Sequence, residues 1–346
     1  MYYLLFIVYL LFYMSIELQQ YKKTRINKLK IKFNNDKYAL TIYFNKLINN
    51  VLNSKIKFNS KISQINNLKV SYANQLNNFT NIFNNNINNL IAYQPNIVTN
   101  FKNKRALLIG CNYNNSAYQL NGCINDVNNI KSMIKNIGFN NINVLTDETD
   151  KTPNKINILT ELTNLLSNSN NNDLLFFSYS GHGTQVLDKN VDETDGRDEA
   201  MVPLDFNVIT DDELKTIIQT YLKPNVTLFA LFDCCNSGTI LDLKYQYLDS
   251  LNYNNYTENN NAIDTLGNVI MISGCTDNQT SADAFINNTS QGAMTWAFIE
   301  SVNSKPKLSW RELIQNMRKL LTNSQYTQIP QLSTGNIFNI DTAIFI

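Results

Sequence analysis

A single histidine and a pair of adjacent cysteines are the side chains of this 346-residue chain best suited to covalent chemistry. The histidine, His182, stands between two glycines, and the cysteines are Cys234 and Cys235. A cysteine attacks a carbonyl carbon as its thiolate, which a nearby imidazole stabilises at neutral pH. A histidine flanked by glycines has few neighbours to pack it into a core. The residues therefore favour a Cys–His pair over a structural histidine and an inert buried thiol.

Other uses of a thiol fit the sequence less well. A phosphatase of the cysteine type needs an arginine six residues after its nucleophile, and Ile240 and Leu241 occupy those positions. Zinc binding is disfavoured because the chain has no C-x-x-C pair and one histidine. The five cysteines are odd in number and irregularly spaced, which indicates a reducing compartment and no disulfide framework.

Acidic side chains are concentrated between Asp188 and Lys215, where ten carboxylates accompany three basic residues. A solvated loop accounts for many charge runs of this kind. Carboxylates at this density also repel one another unless a cation neutralises them, and calcium takes oxygen ligands from such loops. No EF-hand spacing is present, so composition leaves both interpretations open.

Charge divides the chain into two parts. Residues 18–104 carry fourteen Lys or Arg side chains and one acid, whereas residues 105–346 carry 15 basic and 26 acidic side chains. Residues 1–17 are mostly apolar, which is compatible with a membrane anchor or with a buried strand or helix. Helical spacing of apolar residues predicts helices within the otherwise irregular arm. We therefore expect three segments: an apolar segment at 1–17, a basic Asn-rich arm or pro-region at 18–100 and a folded domain at 101–346.

The elements that must position His182 and Cys235 alternate between strand and helix. Buried strands are predicted at Arg105–Gly110, Asn143–Leu145, Asp173–Tyr179, Thr227–Phe232 and Asn268–Ile272. Helices are predicted at Asp126–Ile137, Asn154–Leu166 and Asp211–Leu222. Uninterrupted apolar strands with helices between them are typical of an α/β fold with a mostly parallel sheet covered on both faces. His182 and Cys235 follow the carboxyl ends of two such strands, where function is expected.

Several blocks of this sequence resemble the metacaspases, caspase-like cysteine peptidases of clan CD. The blocks occur in the family's order at 105–113, 120–126, 178–184, 195–199 with 202–205, 232–238, 273–283 and 330–332. The resemblance covers residues 105–346 and leaves residues 1–100 without a counterpart. It implies a caspase-like three-layer α/β/α sandwich with a mostly parallel central sheet, preceded by an irregular N-terminal arm.

The resemblance also implies a role for each site residue. His182 would be the general base and Cys235 the nucleophile, with the N–H groups of Gly183 and Cys235 facing the oxyanion. Residues matching the family's pocket for Arg or Lys before the scissile bond are Asp126, Ser180 and Asp233. Residues matching its activating calcium (Ca²⁺) site are Asp198, Asp211, Asp212 and Asp242. The implied function is a calcium-activated cysteine endopeptidase, made as a zymogen and active as a monomer, that cleaves protein substrates after Arg or Lys. We expect a cytoplasmic protein, anchored to a membrane if residues 1–17 insert.

Departures from the family keep a second class of function open. Cys234 and Asn236 replace the Ser and His of the family's nucleophile block, so His182 is the one imidazole available. The alternative is a catalytically silent caspase-like scaffold that binds partners through the arm. Nucleic-acid binding by the basic arm is a third interpretation, which a steep loss of binding with salt would identify. We expect no specific nucleic-acid partner.

The positions of Lys and Arg restrict where a peptidase of basic specificity can cut its own chain. None occurs within residues 245–304, so we expect the chain either to be cut after Lys244 or to stay whole across that linker. Lys102, Lys104 and Arg105 lie where the arm meets the body. Cleavage there is expected to remove the arm as an activation step.

Overall fold

The chain divides into two compact units, Met1–Gln94 and Pro95–Ile346. A computed structural model describes residues 27, 30–31, 33–92, 101–188, 196–235, 237–247, 256–259, 262, 265–274, 283–286, 289–305, 307–336 and 339–345. The apolar segment 1–17 and Asn236 lie outside these residues. Among the residues described, none of the helices combines the length and the apolar composition that a membrane-spanning helix requires.

The described residues of the first unit include two long helices in the region expected to form an arm. α1 covers residues 33–53, and α2 covers Phe58–Ala92. The two helices contact each other through Phe44 and Tyr72, whose ring centroids lie 5.5 Å apart in an edge-on arrangement. The hydroxyl groups of Thr41 and Tyr72 share a hydrogen bond of 3.0 Å. The helices that the spacing of the apolar residues predicted are therefore present, and they pack against each other through a small core.

The second unit alternates strands and helices. Its helices are α3 (Cys123–Asn136), α4 (Lys155–Ser167), α5 (Asp211–Tyr221), α6 (Ala293–Ser304) and α7 (Trp310–Asn323). Its first seven strands are β1 (Lys104–Gly110), β2 (Asn141–Thr146), β3 (Leu174–Ser180), β4 (Gly183–Leu187), β5 (Arg197–Met201), β6 (Ile209–Thr210) and β7 (Thr227–Asp233). The remaining strands are β8 (Tyr245–Gln246), β9 (Thr257–Glu258), β10 (Asn268–Ser273), β11 (Asp283–Ile286), β12 (Thr289–Gly292) and β13 (Gln331–Thr334).

The main sheet has eight strands in the order β2-β1-β3-β7-β10-β13-β8-β9. The first five strands of this order are parallel, and β13 then pairs with β10 in the antiparallel direction. Two smaller antiparallel sheets accompany it, formed by β4-β5-β6 and by β11-β12. Because β1, β3 and β7 are parallel neighbours, their carboxyl ends meet at one edge.

Side chains alternate along the central strands between two separate apolar cores. On β3, Leu174 and Phe176 belong to the core covered by α3, α6 and α7, whereas Leu175 and Phe177 belong to the core that α4 and α5 cover. A strand buried on both faces carries apolar residues at every position, which explains the uninterrupted runs in the sequence. The predicted α/β fold, a three-layer α/β/α sandwich with a mostly parallel sheet, is confirmed.

Candidate active site

Strands β3 and β7 bring His182 and Cys235 to the same edge of the sheet. The last residues of these strands in register are Ser180 and Asp233. The N–H of Gly181 continues this pairing by donating to the Asp233 carbonyl oxygen at 3.4 Å. His182 and Cys235 each stand two residues beyond the last registered pair, so the two half-buried residues leave the sheet side by side.

Gly183 allows the two chain segments to come into close contact. A Cβ atom on Gly183 would lie 1.9 Å from the carbonyl oxygen of Cys235 and 3.3 Å from the Cβ of Cys234. A side chain at Gly183 would therefore push apart the segments that carry His182 and Cys235. Close packing of the two segments at this edge of the sheet therefore requires a glycine at position 183.

The ring of His182 is oriented by a backbone carbonyl group. Its Nε2 atom lies 2.7 Å from the carbonyl oxygen of Tyr118. Because a carbonyl oxygen only accepts hydrogen bonds, Nε2 carries a proton in this arrangement. A neutral His182 then has Nδ1 as its proton-accepting nitrogen. The sequence gives no indication of this contact, because any residue at position 118 presents a carbonyl group.

Asp126, Ser180 and Asp233, the three residues matched to a substrate pocket, lie close together below this edge. Asp126 accepts a hydrogen bond of 2.6 Å from the Ser180 hydroxyl and one of 2.9 Å from the Gly292 N–H. Asp233 accepts one of 2.9 Å from the Thr295 N–H. A Cβ on Gly292 would lie 2.1 Å from Oδ2 of Asp233 and 2.8 Å from Oδ2 of Asp126, so both carboxylates approach the same glycine.

The beginnings of two helices stabilise this carboxylate pair. Asp126 is in the first turn of α3, and Thr295 is in the first turn of α6, which Gly292 precedes as its N-cap. Backbone N–H groups at a helix N-terminus favour negative charge. Gly292 and Thr295 were not singled out by the sequence analysis. Both residues hold the carboxylates through their main-chain N–H groups, which a sequence motif does not reveal. The one indication in the sequence is the glycine that precedes the apolar residues of α6.

The four residues matched to a calcium site are not equally close to one another. Carboxylate oxygens of Asp198, Asp211 and Asp212 all lie within 4.8 Å of one another. Asp242 instead accepts a hydrogen bond of 2.8 Å from Lys215, through Oδ2. Its other oxygen, Oδ1, is buried and accepts no hydrogen bond from any described residue.

The electrostatics of this cluster suit a hard cation. Burial, and secondly the charge of Asp242, raise the pKa of Asp211 to about 8, although backbone N–H groups of Asp212 and Glu199 act in the opposite direction. A set of oxygen donors with excess negative charge and an unsatisfied buried oxygen fits calcium. Asp198, Asp211 and Asp212, with Asp242 beside them, are the residues that could hold it.

Comparison with known proteins identifies the family. A model of the metacaspase peptidase C14 domain matches residues 104–244. Metacaspase-1 of Kluyveromyces lactis is 38% identical over 309 residues, an alignment that covers 74% of this chain and 70% of that protein. The chain belongs to the metacaspase family. Metacaspase-1 of Saccharomyces cerevisiae is 36% identical over 293 residues and covers 69% of this chain. This metacaspase is therefore a cysteine endopeptidase, as its sequence blocks had indicated.

A solved structure is similar in fold alone. Protein GSU0716 from Geobacter sulfurreducens superimposes with a TM-score of 0.54 at 23% sequence identity, covering 70% of this chain and 98% of that chain.

Proposed function

We propose that this metacaspase cleaves peptide bonds after Arg or Lys. The supporting observation is that Asp126 and Asp233 converge on Gly292, next to the strand ends that carry His182 and Cys235. Two carboxylates in surroundings that exclude water attract a guanidinium or ammonium group strongly. Both side chains are at least nine-tenths buried, so a substrate side chain that reaches them leaves bulk water behind.

The proposed chemistry uses Cys235, His182 and two backbone N–H groups. Nδ1 of His182 takes the thiol proton, and the sulfur of Cys235 attacks the carbonyl carbon of the scissile bond. The N–H groups of Gly183 and Cys235 donate to the resulting oxyanion. The C–N bond then breaks, His182 protonates the leaving amine, and a thioester remains on the cysteine. A water molecule, deprotonated by the histidine, hydrolyses this thioester and restores the thiol.

We further propose that calcium activates the enzyme through Asp198, Asp211, Asp212 and Asp242. Calcium bound there would neutralise these carboxylates and so connect β5, the first turn of α5 and the segment after β7. The unsatisfied Oδ1 of Asp242 supports this assignment. The N-cap of α5, Thr210, forms a capping box with Glu213, which places Asp211 and Asp212 at the start of a well-defined helix.

Hydrolysis of fluorogenic peptides ending in Arg, Lys or Asp tests these proposals, with calcium and with a chelator. We expect calcium-dependent cleavage after Arg and Lys, complete loss with Cys235→Ala, and retained activity with the matched thiol variant Cys234→Ala. Asp126→Asn should reduce kcat/KM for basic substrates roughly tenfold or more, because it removes one charge from the pocket.

Different results would contradict different parts of the proposal. Cleavage after Asp would contradict the pocket assignment and leave the peptidase assignment intact. Activity unaffected by the chelator would contradict activation by calcium. No cleavage of any peptide by folded protein would favour the silent scaffold.

A further inference from the structure

Two buried tyrosine hydroxyl groups hold the peptide unit of His182. The N–H of His182 donates to the hydroxyl oxygen of Tyr113 at 2.9 Å. The hydroxyl of Tyr179 donates to the carbonyl oxygen of His182 at 2.8 Å. The two hydroxyl oxygens lie 3.1 Å apart, and both side chains are 1% exposed. The backbone of the histidine is thus held on both sides by groups that cannot move into solvent.

Counting protons gives a consistent hydrogen-bond network. The hydroxyls of Tyr113 and Tyr179 lie 2.5 and 2.8 Å from the carbonyl oxygen of Val202. Burial raises the pKa of both phenols, so each keeps its single proton. Tyr113 therefore donates to Val202 while accepting from His182, and Tyr179 donates to His182. The Tyr113 hydroxyl is the acceptor for the His182 N–H, whereas the His182 carbonyl oxygen also accepts a hydrogen bond of 3.0 Å from the Val202 N–H.

Gly181 provides the space for these hydroxyl groups. A Cβ on Gly181 would lie 2.6 Å from the hydroxyl oxygen of Tyr179 and 2.9 Å from that of Tyr113. Both distances are shorter than Cβ contacts in proteins allow. The glycine before His182 therefore allows the phenols to reach its backbone, whereas Gly183 after it allows contact with Cys235.

Tyr113 adopts an unfavourable backbone conformation that Asp147 supports. Its φ of 52° lies in the left-handed region, which is unfavourable for a non-glycine residue. The carboxylate of Asp147 accepts hydrogen bonds from the N–H groups on either side, those of Asn112 at 2.7 Å and Asn114 at 3.0 Å. Backbone strain of this kind persists where surrounding contacts determine the conformation.

The same loop also contacts the imidazole ring. The rings of Tyr113 and His182 face each other at a centroid distance of 4.8 Å and an angle of 34°. The carbonyl oxygen of Tyr118, five residues later on this loop, contacts Nε2 of His182. The segment from Tyr113 to Tyr118 therefore determines both the backbone and the ring orientation of the histidine.

We propose that Tyr113 is a positioning residue that sets the orientation and tautomer of His182, assisted by Tyr179 and Asp147. This inference rests on the proposed role of His182 as the base. Removing the hydroxyl group leaves the His182 N–H without its acceptor, so the peptide unit and the ring it carries are expected to shift. A displacement of about 1 Å in a catalytic group can cost roughly 100-fold in rate.

Tyr113→Phe tests the proposal, with Tyr326→Phe as a matched control on the other core. We expect kcat to fall roughly 10- to 100-fold with KM little changed. The chain's single histidine allows a second readout, because untagged protein labelled with ¹⁵N-histidine gives one set of imidazole signals. In Cys235→Ala protein these signals should show the Nε2–H tautomer, and adding Tyr113→Phe should give mixed tautomers.

The outcomes separate this inference from the proposed function. If His182→Ala and Cys235→Ala remain active, the proposed function is wrong. Suppose instead that these variants are inactive but that Tyr113→Phe keeps its kcat and a single Nε2–H tautomer. Tyr113 then has a structural role alone, even if the variant's melting temperature falls, and the inference is overturned. Should Tyr113→Phe not fold, Tyr179→Phe and Asp147→Asn are measured in the same way, and unchanged kcat and tautomer in both would overturn it.

Discussion

Asp211 is a carboxylate whose protonation is coupled to the fold. Burial and the charge of Asp242 raise its pKa to about 8, whereas an aspartate in an unfolded chain titrates near pH ~4. Between these values the folded protein binds a proton that the unfolded chain releases. The stability contributed by this proton is complete below pH ~4 and is lost as the pH rises through about 8.

We therefore predict that Asp211→Asn flattens the pH dependence of stability in calcium-free protein. The variant should lose less stability than the wild type between about pH 5 and pH 8.5, because an amide does not titrate there. Urea unfolding midpoints, recorded across this pH range in the presence of a chelator, measure the pH dependence of stability. Asp150→Asn, a substitution at an exposed aspartate, is the control. Equal pH dependence in wild type and Asp211→Asn would contradict the prediction.

Among single residues, side chains could be predicted from the sequence better than main-chain contacts. The motif blocks identified Asp126, Ser180 and Asp233, and the structure brings these three together. The groups that hold them in place, such as the N–H of Gly292, come from a distant part of the chain. A backbone N–H is present at almost every residue, so its use becomes visible once the fold is known.

At the level of elements, β1 restricts where the arm can be removed. Lys104 and Arg105 are its first residues and pair with β3, and Arg105 also pairs with β2 and lies 3.4 Å from Asp173. A peptidase binds an extended substrate through backbone hydrogen bonds, which are already occupied in a paired strand. Lys102 precedes the strand and its side chain is exposed, although its N–H donates to the Asn172 carbonyl oxygen at 2.9 Å.

We predict that, of these three positions, Lys102 is the one used if the arm is removed there. Lys102→Gln should abolish this cleavage, whereas Lys104→Gln should leave it unchanged. Intact mass and N-terminal sequencing of protein incubated with calcium identify the new terminus. A terminus at Arg105 or Ala106 from native protein would show that β1 opens.

The elements predicted from the sequence are those with strong apolar patterns. β1, β3, β7 and β10 were predicted because each is buried on both faces. β4 and β12 were not predicted, because polar residues such as Thr184, Gln185 and Ser290 make up much of them. These short strands form through pairing with β5 and β11, so the tertiary structure determines them more than local preference does.

For the molecule as a whole, two outcomes were expected at residues 245–304: a cut after Lys244 or an intact chain. The fold favours the intact chain. The side chain of Lys244 is 7% exposed, and its Nζ lies 2.8 Å from Glu258 and 5.1 Å from the ring centroid of Tyr245. Tyr245 begins β8, which pairs with β13. A cut after Lys244 would require β8 to leave the main sheet.

We predict that the native enzyme remains one chain across residues 245–304. Intact mass spectrometry of active protein should show no fragment that begins at Tyr245, and Lys244→Gln should give the same pattern as the wild type. Trypsin should cut after Lys244 in urea-unfolded protein, which shows that the bond itself is cleavable. A fragment starting at Tyr245 in folded, active enzyme would contradict the prediction.

The N–H groups that bind the carboxylates of Asp126 and Asp233 affect how the protein can be divided into fragments for expression. The stretch that matches the family model ends at residue 244 and includes His182, Cys235 and the carboxylate pair, but Gly292 and Thr295 lie beyond it. Strand β10, next to β7, also lies beyond it. An expressed fragment ending at 244 would carry every side chain assigned to chemistry, yet its acids would lose N–H partners and β7 would become an open edge. Insolubility of such a fragment would say nothing about catalysis.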